Sequence, residues 1–182
     1  KMKKAFWYGI VSSMFFAVTF VLNRSMDLNG GSWIWSASLR YLFTLPLLLP
    51  ITLTKIKPVL KEIKQAPGSW LLWSVVGFGL FYAPLSFASA FGESWLVASC
   101  WQITIVAGVL LTPLFGQSIP LKSLGFSMVI LLGVFLLQTR QAAGVGWKQA
   151  LSCILPVLVA AFSYPLGNRK MMALCQGRLD TV

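Results

Sequence analysis

Six long apolar stretches, separated by short polar or glycine-bearing connections, dominate this sequence of 182 residues. They lie near residues 5–23, 33–54, 69–91, 94–116, 121–139 and 149–168. A helix needs about 20 mostly apolar residues to cross the roughly 30 Å hydrocarbon core of a bilayer, and each stretch is long enough. Lipid offers no hydrogen bonds to a backbone, so only helices or a closed barrel can span it. The alternation of apolar and polar residues that marks barrel strands is missing. The pattern therefore predicts an all-α, polytopic membrane bundle of six transmembrane helices. Composition agrees: 57% of residues are hydrophobic and 10% charged, where a soluble domain keeps about a quarter charged.

The net charge of +11 would first suggest nucleic acid as a partner, but the fifteen Lys and Arg fall in small groups between the apolar runs. Such cations instead fix orientation, because Lys and Arg are retained on the cytoplasmic side during insertion. The polar connection Lys55 to Gly68 carries Lys55, Lys57, Lys61 and Lys64, the strongest such marker in the chain. With the N-terminus inside, Lys1, Lys3, Lys4, Lys122, Arg169, Lys170 and Arg178 share its side, against only Arg24, Arg140 and Lys148 outside. The expected topology has six spans with both termini cytoplasmic in the cell membrane. The start, Lys1 to Leu22, imitates a signal peptide, yet its apolar run is too long for one and is read as the first span. Trp7, Trp33, Trp70, Trp95 and Trp147 sit near span ends, where indole rings favour the interface.

Histidine is absent, acids number four, and Cys100, Cys153 and Cys175 have no metal-clip or redox spacing. The usual general base and imidazole ligand are thus missing, and no catalytic residue, metal or cofactor is expected.

Asn23-Arg24-Ser25-Met26 closes the first stretch, and Asn168-Arg169-Lys170-Met171 closes the sixth, 145 residues later. Five spans separate the copies, and an odd number reverses direction. The pattern suggests an inverted repeat: residues 1–146 as one five-helix unit, and 147–182 as the start of a second, incomplete one. Chance is the alternative for so short a pattern.

Arg40 lies about 7 residues inside the second span, where a cation needs a partner or water. It serves either as a gate or binding contact for an anionic or polar substrate group, or as a structural cation tied to Glu93 or to helix-end carbonyls. Glu93, in the tight connection between the third and fourth spans, reads as a wet loop carboxylate or a coupling group. The fourth span is the most polar, and Trp101 beside Gln102 suits a pocket that stacks and orients an organic molecule. Ser99 and Thr104 are explained by helix packing alone, as are Ala88 and Gly92. Gly77, Gly79 and Pro84 permit a kink in the third span.

The chain resembles the drug/metabolite transporter superfamily of EamA-like proteins, and within it the multidrug resistance efflux transporter family. The resemblance rests on three features: Asn23-Arg24 at the end of the first helix, Ser38-Leu39-Arg40-Tyr41-Leu42-Phe43 early in the second, and Ala88 to Ala98 followed by Trp101-Gln102-Ile103-Thr104. It implies an exporter or exchanger of a small organic molecule, alternating around a site between two repeats, with Asn23, Arg40, Trp101 and Gln102 as binding candidates. It also implies a ten-helix plan of which this chain holds somewhat more than half. Small multidrug resistance proteins of that superfamily use a buried Glu in the first helix to exchange protons for cationic drugs. Ala5 to Leu22 contains no acid. The partners implied are the bilayer and a small-molecule substrate, with a homo-oligomer or a missing C-terminal half completing the bundle. The competing readings are a non-functional fragment and a membrane-embedded enzyme or assembly factor; the second would need paired carboxylates or an activated nucleophile within the spans.

Overall fold

A computed structural model describes residues 2–53 and 56–175, so Lys1, Thr54, Lys55 and Arg178, used above, lie outside the described residues. Every predicted span is helical there, and the described residues contain no strand. The order is α1 (Met2–Leu28), α2 (Trp33–Thr52), α3 (Ile56–Gln65), α4 (Pro67–Ser74), α5 (Leu80–Phe91), α6 (Ser94–Trp101), α7 (Ile103–Leu110), α8 (Leu121–Ala142) and α9 (Trp147–Cys175). A π-helical turn, Val75–Gly79, joins α4 to α5, so Pro67–Phe91 runs as one span. Among the described residues, four helices are long and apolar enough to cross a membrane: Lys4–Leu28, Pro67–Phe91, Leu121–Ala142 and Trp147–Cys175. The second predicted span is α2, of 20 residues, and the fourth is the shorter apolar unit Ser94–Leu110, closed by a 3-10 turn, Thr112–Phe115.

The connection read as a polar loop is largely helix. In α3, Ile56, Val59 and Ile63 recur at helical spacing opposite Lys57, Lys61 and Lys64, so one face is apolar and the other cationic. Pro58 is tolerated because it lies in the first turn, where an amide needs no intrahelical acceptor. Sharp turns use glycine where the backbone demands it: Gly30, after α1, has φ +83°, and Gly116, after the 3-10 turn, has φ +71°.

The core is the pairing of the third span with α9. A Cβ added at Gly167 would overlap the backbone of Gly77, and one at Gly92 would stand 2.8 Å from the Cys153 Sγ. The two contacts are 15 residues apart on α4–α5, about 22 Å of helix at 1.5 Å per residue, and run in opposite order along α9. The helices therefore pack antiparallel along most of their length. Between these points Leu85, Ala88, Val157 and Ala160 are fully buried, with Phe20 and Val97 brought in by α1 and α6. Small residues permit this approach, which stabilises helix pairs in lipid through van der Waals contact where no hydrophobic drive exists. The outer surface is the reverse of a soluble protein's: Phe15 is 77% exposed and Leu137 81% exposed. On α8 only Ser127 is buried, so this helix presents nearly its whole surface outward.

Candidate functional site

A cavity of about 720 Å³ opens among α1, α2, the third span, α6–α7 and α9. Arg40 enters it from α2. Ser36, Arg40 and Thr44 recur every four residues and so share one helix face; Ser36 is buried and Thr44 donates to the Arg40 carbonyl at 2.6 Å. The guanidinium Nη1 donates to the Thr19 hydroxyl of α1 at 3.1 Å and to the Tyr82 hydroxyl of α5 at 3.0 Å. Its carbon also stands 5.0 Å from the Tyr82 ring centroid, within cation–π range. Among the described residues no carboxylate forms an ion pair with it. The pairing with Glu93 considered above is therefore not made: two neighbouring spans hold Arg40 through hydroxyls.

Opposite Arg40 stands an aromatic wall. Trp101 stacks on Phe81 with ring centroids 5.1 Å apart, Tyr164 from α9 meets Phe81 at 4.8 Å, and Phe16 from α1 meets Trp101 at 5.7 Å. Such rings supply a flat apolar surface of the kind that holds organic ligands. Gln102, beside Trp101, also lines the cavity.

The helix carrying these two residues is broken at that point. Gln102 separates α6 from α7, and the Ile105 amide turns to the Gln102 carbonyl, three residues back, at 3.0 Å. Thr104 Oγ1 donates to the Trp101 carbonyl at 2.7 Å, satisfying an acceptor at the break. Ser99 likewise donates to the Trp95 carbonyl at 2.7 Å. The hydroxyls that made this span polar in sequence thus serve their own backbone. Across the cavity, Phe78 lies in the π-helical turn, which sits where Gly77 meets Gly167 and just before Pro84 removes an amide from the following helix. Two irregular helices therefore flank one cavity, and π-turns recur at functional positions.

The other candidates lie elsewhere. Asn23 is buried at 6% exposure but does not line the cavity. Its neighbour Arg24 donates to the Ala90 carbonyl near the end of α5 and lies 3.8 Å from Asp27. Cations suit the carbonyl-bearing end of a helix, so this is a cap between spans. Glu93 is exposed, precedes α6 and borders an adjoining pocket that shares Ala17, Phe20 and Ala98 with the cavity. The structure thus joins Arg40, Trp101 and Gln102, leaves Asn23 and Glu93 apart, and adds Tyr82, Tyr164, Phe81 and Thr19. Mid-span tyrosines carry a polar group that asks for a partner, and this was the one signal for Tyr82 and Tyr164.

Over residues 3–182 the chain matches the family model described as "EmrE: Putative multidrug resistance efflux transporter". Among curated proteins it is 51% identical over 193 aligned residues to "Uncharacterized protein YjlA" of Bacillus subtilis (strain 168), covering 98% of this chain and 60% of that one. It is 48% identical over 190 aligned residues to "Uncharacterized 42.1 kDa protein in intracellular alkaline protease 3'region" of Shouchella clausii, covering 98% of this chain and 50% of that one. The chain therefore spans between half and three fifths of the length of these relatives. No solved structure matches it.

Proposed function

This chain belongs to the multidrug resistance efflux transporter family, and we propose that it moves a small organic molecule by alternating access around the aromatic cavity. The family is one of membrane transporters and not of enzymes, and the apolar helices fit a multi-pass membrane protein. The single observation that carries the reading is the cavity itself. It is of ligand size, it lies where five of the predicted spans meet, and it combines one cation, one amide and a stacked aromatic wall.

In this proposal the six spans run with both termini cytoplasmic in the cell membrane, and residues 1–146 form one five-helix repeat followed by the first helix of its inverted partner. Two placements support the inversion. Arg24 reaches Ala90, at the α5 end of the third span. Arg169 lies 5.5 Å from the Phe115 ring, and Lys170 lies 5.5 Å from the Trp73 ring, at the opposite end of that span. The two Asn-Arg copies thus lie toward opposite ends of the third span. A reporter fused after Val182 that reads external would overturn this topology.

The transport reading is tested by reconstituting the full-length gene product in proteoliposomes and screening labelled organic solutes for counterflow. Trp101→Ala is expected to reduce uptake of the responding solute about tenfold or more, in keeping with loss of a stacking surface. Counterflow unaffected by Trp101→Ala would place the substrate outside this cavity.

A further inference from the structure

We propose that the cavity selects organic anions: molecules with a flat apolar body and one carboxylate, sulfonate or phosphate group, the acidic group taken by Arg40. The inference deepens the proposed transport function and rests on it. A cation inside a membrane span is ordinarily held by a carboxylate or by helix-end carbonyls, which cancel its charge. Arg40 has neither. Its contacts are the Thr19 and Tyr82 hydroxyls, both on Nη1, and the Tyr82 ring. Hydroxyl oxygens satisfy two N–H groups without neutralising the charge, and among the described residues Nε and Nη2 have no hydrogen-bond partner. Those two groups form one edge of the planar fork that binds carboxylate and phosphate through paired hydrogen bonds.

The cavity offers a cation aromatic faces but no carboxylate. None of its lining residues is acidic. Asp27 is engaged with Arg24, and Glu93 borders the adjoining pocket without lining the cavity itself. The Trp101–Phe81 stack gives the apolar body a surface, and Gln102 can both donate and accept at the polar edge. A lipophilic cation would meet the same aromatic rings, but it would have to approach an uncompensated guanidinium in a low-dielectric site, where like charges repel strongly.

The test uses the full-length gene product in nanodiscs of neutral lipid and three probes sharing one ring system: naphthoate, naphthylmethylammonium and naphthylmethanol. Binding is read by calorimetry. Naphthoate is expected to bind about tenfold or more tighter than the other two, the size of effect an added charge-assisted hydrogen bond provides. Arg40→Gln should abolish that preference, Arg40→Lys should restore part of it, and Trp101→Ala should weaken whatever binds. If either Arg40 variant fails to fold, the ranking of the three probes on the unaltered protein decides alone. Equal binding of all three, or tighter binding of the ammonium, with Trp101 still required, overturns anion selection and leaves the transport site standing. No binding of any probe removes both.

Discussion

At Gly167 a single hydrogen atom separates a packed helix pair from a clash. A methyl group there would overlap the Gly77 backbone, so one of the two spans must move. Gly167→Ala is expected to lower stability by about 1–3 kcal/mol, the range for overpacking a tight interface. Gly133→Ala in α8, where a Cβ meets nothing within 4 Å, should leave thermal unfolding in detergent unchanged or raise its midpoint slightly. Equal effects at the two glycines would contradict the packing described. The same scale shows what sequence could and could not reveal. Arg40 was legible because a charge inside an apolar run is costly and stands out. Its partners were not, because Thr19 and Tyr82 come from two other spans and hydroxyls are common in membrane helices, whereas Glu93 offered itself as a carboxylate partner.

Among the elements, the interruption at Gln102 shapes the site. A continuous helix from Ser94 to Leu110 would carry Trp101 and Gln102 in regular register; the turn at Gln102 tightens the backbone where both line the cavity. Thr104 stabilises that turn through the Trp101 carbonyl. Thr104→Val removes the donor while nearly keeping the shape, and about 1 kcal/mol of stability should go with it. Tryptophan fluorescence of the variant should shift as the indole wall relaxes, with weaker binding of cavity ligands. An unchanged spectrum and affinity would mean that the hydroxyl is incidental. The run 94–116 reads as one apolar helix because no proline precedes Pro113 in it, and the break lacks a sequence marker. The apolar lengths themselves were plain, since crossing lipid imposes them; their described residues are largely helical, and four of the six form helices long and apolar enough to span. The amphipathic α3 was obscured by its lysines, which signal a cytoplasmic loop as readily as a helix face.

For the whole molecule, the third span and α9 form a closely packed antiparallel pair, while α1, α2 and α6–α7 wall a cavity beside it. Tyr164 reaches that cavity from α9, the helix assigned to the second repeat, so both proposed repeats contribute to one site. That arrangement is what alternating access requires, and it could not be read from the sequence because the contact joins residues 63 positions apart, Trp101 and Tyr164. The most direct measurement is solvent access to the cavity wall from each face of the membrane. In the full-length gene product with Cys100→Ser, Cys153→Ala and Cys175→Ser, Ser13→Cys places a thiol on the cavity lining. The account predicts that a membrane-impermeant maleimide labels this position from either side in separate experiments, and that a transported solute slows both reactions. Labelling from one side only, at a rate no solute changes, would contradict it.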